Sequence, residues 1–118
     1  MGKNLIAITF GLALLFFAGC SSADGTVTLK ELQQTIEQRI GQEVVIVGSV
    51  DVKDANLSAV KLFKLYKGSD TVLVSMPEGE LVPHQGLRSR VTGVVAEKDF
   101  PAGVGRRVYV EAKSVRLE

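Results

Sequence analysis

The chain has 118 residues, which is enough for one ordinary domain but too few for a multidomain enzyme. Its 46% hydrophobic residues exclude an intrinsically disordered chain, and its three prolines exclude collagen-like or mucin-like repeats. A formal charge of +1 argues against a general polyanion binder, and a single cysteine with a single histidine excludes both a disulfide framework and a Cys/His zinc site built by this chain alone.

The N-terminal residues follow the order of a secretory signal peptide. A short polar start carries one cation, Lys3, and an apolar run over residues 5–18 follows it before a stretch of small residues. This run is shorter than the roughly 20 apolar residues needed to cross a bilayer. We therefore expect residues 1–19 to be a removable signal peptide rather than a permanent membrane span.

The end of this segment resembles the lipobox of bacterial lipoproteins. Ala18 and Gly19 are small residues directly before Cys20, and in that family such a cysteine is acylated and becomes the mature N-terminus. The resemblance implies a lipidated Cys20, a tether over residues 20–26 and the membrane as a partner, because two acyl chains make a stable anchor. The alternative is ordinary cleavage after the small residues 21–23, which would discard Cys20.

Lipidation of Cys20 would place the protein in the cell envelope, facing the periplasm or the exterior. Ser21 and Ser22 follow the cysteine at positions where inner-membrane lipoproteins of enterobacteria typically carry Asp. The resemblance therefore favours the outer membrane in a host that has one. Because Lys3 would be removed with the signal peptide, the mature chain is expected to be neutral.

The folded domain, residues 27–118, is predicted to begin with one helix. Thr28 and Glu31 have the spacing of a capping box, and Gly41 provides the residue type that commonly ends a helix. Between them, apolar residues recur every three or four positions and form one stripe that we expect to face the core. These residues are Leu29, Leu32, Ile36 and Ile40.

After Gly41 the pattern changes to valine-rich segments with partial alternation, which predicts strands. The five segments cover residues 43–52, 59–67, 71–76, 87–97 and 106–117. Only the second and third are joined closely enough to predict a tight hairpin. A repeated spacing links the first and fourth: Gly41 and Gly48, like Gly86 and Gly93, stand seven positions apart. A glycine inside a strand usually marks a bulge or bend, so a small barrel is favoured over a flat sheet.

These segments resemble the OB-fold, a five-stranded Greek-key barrel. The matching stretches are residues 41–50, 63–74, 86–95 and 108–112, and the resemblance covers roughly residues 42–117. It implies a mainly β domain with one N-terminal α-helix. The segment between the third and fourth strands is too short and too rich in proline for the helix that many family members place there, so we expect the N-terminal helix to plug the open end of the barrel.

No catalytic constellation can be assembled from the sequence. His84 lies in a predicted loop between a proline and a glutamine, and the neighbouring carboxylates, Asp51 with Asp54 and Glu78 with Glu80, lack the ligand count of a calcium loop. We therefore expect no enzyme activity, no metal and no cofactor. A hydrolase that uses His84 with a carboxylate is kept as an alternative.

The resemblance implies a ligand surface across the second and third strands and the loop between the fourth and fifth. If Phe63 and Leu65 point into the barrel, the alternating residues of the second strand point outward. The candidate ligand-binding residues are Lys64, Tyr66, Ser75, Phe100, Arg106 and Arg107.

These observations predict a lipid-anchored extracytoplasmic binding or accessory module that does not catalyse a reaction. Its partner would be a protein or a small polar ligand on the face of the second and third strands. The rival is an envelope-localised nucleic-acid or oligosaccharide binder. Nucleic acid is disfavoured because single-strand binders need successive aromatic platforms and a positive groove, whereas this chain has two tyrosines and no tryptophan.

Overall fold

The computed structural model describes residues 26–118, so the predicted signal peptide and Cys20 lie outside the described residues. The chain forms helix α1 (Leu29–Thr35), a 3-10 helix (Ile36–Arg39), strand β1 (Glu43–Asp51) and helix α2 (Ala55–Ala59). Four more strands follow: β2 (Leu62–Lys67), β3 (Asp70–Ser75), β4 (Arg88–Phe100) and β5 (Gly105–Leu117). Within residues 26–118, every helix is too short or too polar to span a membrane.

The five strands close into a barrel in the order β1-β2-β3-β5-β4. All neighbouring strands are antiparallel except β3 and β5, which run parallel and pair through Val74 with Val110 and Ser75 with Glu111. The predicted architecture, a five-stranded barrel preceded by one helix, is confirmed. Its core is filled by alternate strand residues, as the buried positions of β1 show: Val44, Ile46 and Val50 are each at most 1% exposed.

The mid-strand glycines lie where two parts of the barrel approach closely. The β4–β5 ladder shifts register between Thr92 and Gly93, which confirms the predicted irregularity at Gly93. A Cβ on Gly48 would lie 2.8 Å from the Tyr66 carbonyl oxygen and 2.7 Å from Leu29 Cδ1. Both positions therefore leave no room for a side chain, because neighbouring atoms already fill the space that a Cβ would take.

The repeated glycine spacing corresponds to an approximate two-fold relation within the β1–β4 ladder. Gly41 donates from its amide to the Val95 carbonyl at 2.7 Å, and Gly86 donates in the same way to Val50, also at 2.7 Å. Gly41 and Gly86 have φ of 91° and 83°, a left-handed conformation that glycine adopts at little cost. Each glycine therefore starts its strand by turning the chain into hydrogen-bonding distance of the other strand.

Helix α1 packs on the barrel, but its apolar stripe is shorter than predicted. The Thr28 hydroxyl accepts from the Glu31 amide at 3.1 Å, which is one of the two hydrogen bonds of the predicted capping box. Leu29 and Leu32 are 2% and 0% exposed and belong to the barrel core. Ile40 is 48% exposed, so its predicted place in the core is wrong. The cause is the change to a 3-10 helix at Ile36, because a tighter helix rotates later residues away from the stripe.

Two connections differ from the sequence prediction. Residues 55–59, partly assigned to the second strand, form α2, whose first amides donate to the Asp54 carboxylate at 2.9 and 3.3 Å. Strand β4 continues to Phe100 and pairs with β5 up to Gly105. The prediction of a single tight hairpin is therefore wrong, because β4 and β5 also form one. Its turn is made possible by Ala102 and Gly103, with φ of 60° and 79°.

Candidate ligand-binding clefts

A second hydrophobic cluster covers part of the outer face of the sheet. Its buried members come from α2, β2 and the β4–β5 hairpin, and they are Leu57, Leu62, Phe100, Val104 and Tyr109. Leu62 is 1% exposed although the adjacent Phe63, at 0%, belongs to the barrel core. Because neighbouring strand residues point to opposite faces, Leu62 must be covered from outside. The second cluster thus holds α2 and the hairpin against the outer face of β2 and β3.

An aromatic pair forms the centre of the second cluster. The rings of Phe100 and Tyr109 meet edge to face, with centroids 5.2 Å apart and planes inclined at 72°. Lys98 Nζ lies 5.4 Å from the centroid of the Phe100 ring, within the range of a cation–π contact. Phe100 is 7% exposed. The ring that the sequence placed on the rim of the ligand face is therefore mostly buried and offers little area for stacking.

The larger of two clefts beside the second cluster has a volume of about 570 Å³. It lies between the start of β2, the end of β3 and the middle of β5. Its walls include two lysines and two carboxylates along with the aromatic pair. The polar residues lining it are Lys61, Ser75, Glu78, Lys98, Tyr109 and Glu111. We refer to it as the larger cleft.

The Tyr109 hydroxyl joins the second cluster to the polar wall of the larger cleft. It donates to Glu111 Oε2 at 3.3 Å. Burial raises the pKa of Tyr109, and the neighbouring negative charge of Glu111 raises it further. The phenol therefore remains protonated through the neutral range and keeps the Glu111 carboxylate oriented at the edge of the cleft.

The smaller cleft, of about 300 Å³, lies on the other side of the second cluster. Its polar lining includes Lys64 of β2, Thr71 of β3 and Arg107 of β5, together with Asp54 before α2. The Arg107 Nε donates to the Val104 carbonyl at 3.2 Å, which fixes the guanidinium group near the hairpin turn. Within residues 26–118, Lys64 makes no hydrogen bond or ion pair with another side chain. Two cations of the described chain thus line one cleft together with Asp54, whose carboxylate already accepts from the amides of α2.

The remaining predicted residues lie away from both clefts. Tyr66 is half-buried and pairs with Ser49 and Thr71 across the sheet. Arg106 binds Glu97 at 2.6 Å, and its hydrogen bond lowers the pKa of that exposed carboxyl. The six candidates therefore separate into three locations: Ser75 and Phe100 line the larger cleft, Lys64 and Arg107 line the smaller one, and Tyr66 and Arg106 line neither.

Solved structures with a similar chain path identify the architecture. The S. pombe telomere capping protein Ten1 superposes with a TM-score of 0.53 at 14% identity, over 79% of this chain and 79% of that chain. The hypothetical protein ygiW from E. coli superposes with a TM-score of 0.54 at 16% identity, over 83% of this chain and 96% of that chain. The fold is an OB-fold.

Identities this low show the fold of the domain alone. The S. pombe Stn1–Ten1 complex is a further match, with a TM-score of 0.52 at 15% identity over 83% of this chain and 78% of that chain. No protein-family model matches the sequence, and no curated protein matches it either. What this OB-fold domain binds must therefore be argued from its own residues.

The OB-fold domain places several residues in the clefts that the sequence analysis did not select. Lys61, Lys98, Tyr109 and Glu111 all line the larger cleft. Lys98 and Phe100 alternate along β4, as Tyr109 and Glu111 do along β5, so each pair shares a strand face. That spacing was visible in the sequence, but which face the second cluster would cover was not.

Of the residues considered for catalysis, Glu78 lines the larger cleft and Asp54 lines the smaller one, whereas His84 and Asp51 line neither. His84 is exposed in the loop between β3 and β4, and its carbonyl accepts from the Leu87 amide at 3.3 Å. Asp51 accepts from the Lys53 amide at 3.0 Å, which is a local turn contact. In the described chain from residue 26 onward, no three His, Cys, Asp or Glu side chains are grouped so that they could hold a metal ion.

Proposed function

We propose that this protein is a lipid-anchored, extracytoplasmic OB-fold module that binds a partner and does not catalyse a reaction. The proposal combines the lipobox-like Ala18-Gly19-Cys20 with the two clefts of the folded domain. The observation that carries the binding role is the second cluster, because it fixes α2 and the β4–β5 hairpin on the outer face of β2 and β3. Rigid walls of this kind hold polar side chains in place for recognition.

The anchor would keep the domain close to the bilayer. Thr26 forms a parallel bridge with Val45, so the chain is attached to the barrel at residue 26. The six-residue step from Cys20 to Thr26 reaches at most about 20 Å when fully extended. A lipidated Cys20 would therefore confine the OB-fold domain to the space next to the membrane, where its partner would be another envelope component.

The shape of the outer face favours a protein or a small polar ligand over single-stranded nucleic acid. Strand binders stack successive bases on exposed aromatic rings. Here Phe100 and Tyr109 are 7% and 4% exposed, and the second cluster divides the face into two separate clefts. The cleft walls carry Lys61 and Lys98 beside Glu78 and Glu111, a mixed set that suits a partner with both charges.

Two measurements test the anchor and the binding role separately. Intact-mass analysis of the membrane fraction should show acyl chains on Cys20, and Cys20→Ser should release the protein from the membrane. A chain of unmodified mass that begins after residue 23 would refute the anchor.

The binding role is tested by capture from native membranes with the lipidated protein. Lys98→Glu, which reverses a charge in the larger cleft, should reduce recovery of the bound partner. Arg106→Glu should leave the recovery of the partner unchanged. This substitution makes the same charge reversal in the same hairpin, but Arg106 lies outside both clefts. Equal recovery with both variants would refute the assignment of the contact surface.

A further inference from the structure

The β4–β5 hairpin separates its charges between its two faces. In the strand register Lys98 stands directly opposite Arg107, whereas Asp99 stands opposite Arg106. Arg106 also binds Glu97 at 2.6 Å, so the face with Arg106 is neutralised by carboxylates. The other face, which carries Phe100 and Tyr109 toward the barrel, presents Lys98 and Arg107 as a like-charged pair.

A directly opposed pair of like charges destabilises an antiparallel ladder. Lys98 is partly compensated by the Phe100 ring. Arg107 has no carboxylate partner in the described domain, and its one hydrogen bond goes to the uncharged Val104 carbonyl. The hairpin therefore keeps a positive potential where it borders the smaller cleft, at the expense of folding stability.

In the smaller cleft, Arg107 lies together with a second cation, Lys64, which also has no carboxylate partner among residues 26–118. Lys64 lines it from β2, while Arg107 lines it from β5. Among residues 26–118, the only carboxylate in this lining is Asp54, which accepts from the amides of Asn56 and Leu57 as the N-terminal cap of α2. That carboxylate is oriented by the helix and is not paired with either cation.

We infer that the smaller cleft binds a small anion, a carboxylate or a phosphate group, between Lys64 and Arg107. A guanidinium group and an ammonium group together supply charge-assisted hydrogen bonds to two oxygen atoms of one anionic group. The volume of about 300 Å³ is large enough for a small ligand. The second cluster separates this cleft from the larger cleft on the same face. This inference rests on the proposed binding role and names the chemistry that one cleft recognises.

The test is an NMR titration of the purified mature protein at constant ionic strength. Inorganic phosphate and acetate each replace chloride in separate arms, so the two sources of anionic oxygen are compared directly. We expect saturable shifts at the amides of Lys64, Thr71 and Arg107 with at least one of the two anions. The anion with the lower dissociation constant identifies the group that the cleft prefers.

Variants separate a specific site from general charge attraction. Arg107→Gln and Lys64→Gln should each weaken binding about tenfold, which corresponds to roughly 1.4 kcal/mol, while Arg106→Gln should change it less than about twofold. Arg107→Gln should not lower the unfolding midpoint, because it removes a repulsion with Lys98. If Arg107→Gln nevertheless lowers the unfolding midpoint, the comparison of Lys64→Gln with Arg106→Gln tests the inference.

Shifts that do not saturate with either anion would refute the inference, as would equal weakening by Arg106→Gln and Arg107→Gln. This titration needs neither the lipid nor the partner. A negative result would therefore refute anion binding at the smaller cleft without affecting the proposed function, which the capture and mass measurements test separately.

Discussion

Replacing Gly93 with alanine tests whether the close approach of β4 and β5 is what requires glycine. A Cβ at residue 93 would lie 2.8 Å from Val110 Cγ1 and 2.9 Å from Ala112 Cα, and it would also meet the Glu111 carbonyl oxygen. Comfortable carbon contacts are about 3.5–4.0 Å. Because two of these neighbours are backbone atoms, relief requires the two strands to separate at the bulge.

The expected magnitude follows from two opposing effects. Overpacking a well-filled site typically costs about 1–3 kcal/mol, and the backbone contacts place Gly93→Ala at the upper end. Alanine recovers about 0.5–1 kcal/mol because it loses less backbone freedom on folding. We expect a net loss of about 2 kcal/mol in the free energy of unfolding, which lowers the Tm of a domain of this size by roughly 8–16 °C.

Thermal and urea unfolding followed by circular dichroism would measure this loss. Gly48→Ala should cost less, because only one of its closest neighbours, the Tyr66 carbonyl oxygen at 2.8 Å, is a backbone atom, and the nearest, Leu29 Cδ1 at 2.7 Å, is the end of a flexible side chain. Gly68→Ala is the control for conformational cost alone. Gly68 has φ of 62° and open space around its Cα, so about 1 kcal/mol is expected. The steric reasoning fails if Gly93→Ala is no less stable than Gly68→Ala.

Three further predictions concern other parts of the domain. Lys61 has φ of 63°, so Lys61→Gly should raise the free energy of unfolding by about 1 kcal/mol while weakening partner capture at the larger cleft; a lower unfolding midpoint would contradict this. Because the pKa of Tyr109 is raised in the folded state, its contribution to stability should be complete below about pH 10 and should disappear as the pH rises through the higher folded pKa. Glu111→Gln should lower that pKa only partly, since burial is the larger cause; the tyrosinate absorbance of each protein minus that of its Tyr109→Phe counterpart measures it. Leu32→Ala should cost about 2–5 kcal/mol in urea unfolding, whereas Ile40→Ala should cost less than about 1 kcal/mol because Ile40 is 48% exposed; similar losses would place Ile40 in the core after all.

The amino-acid sequence by itself determined the local features of this protein. The Thr28 cap, the valine-rich alternation and the glycines inside strands act through neighbouring residues or through one strand face, so they can be interpreted without knowing the fold. They predicted one helix followed by five strands and a curved sheet, and Gly93 lies at the irregularity that its position indicated.

Only the tertiary structure decided what covers the outer face of that sheet. Alternation along the second strand predicted that Leu62 points outward, and α2 and the β4–β5 hairpin fold over that outer face. Periodicity along one strand shows which residues share a face, but not which distant segment will pack against that face. The same holds for the two cations of the smaller cleft, because Lys64 and Arg107 line it together only after β5 has paired with β3 and the β4–β5 hairpin lies against the outer face of β2 and β3.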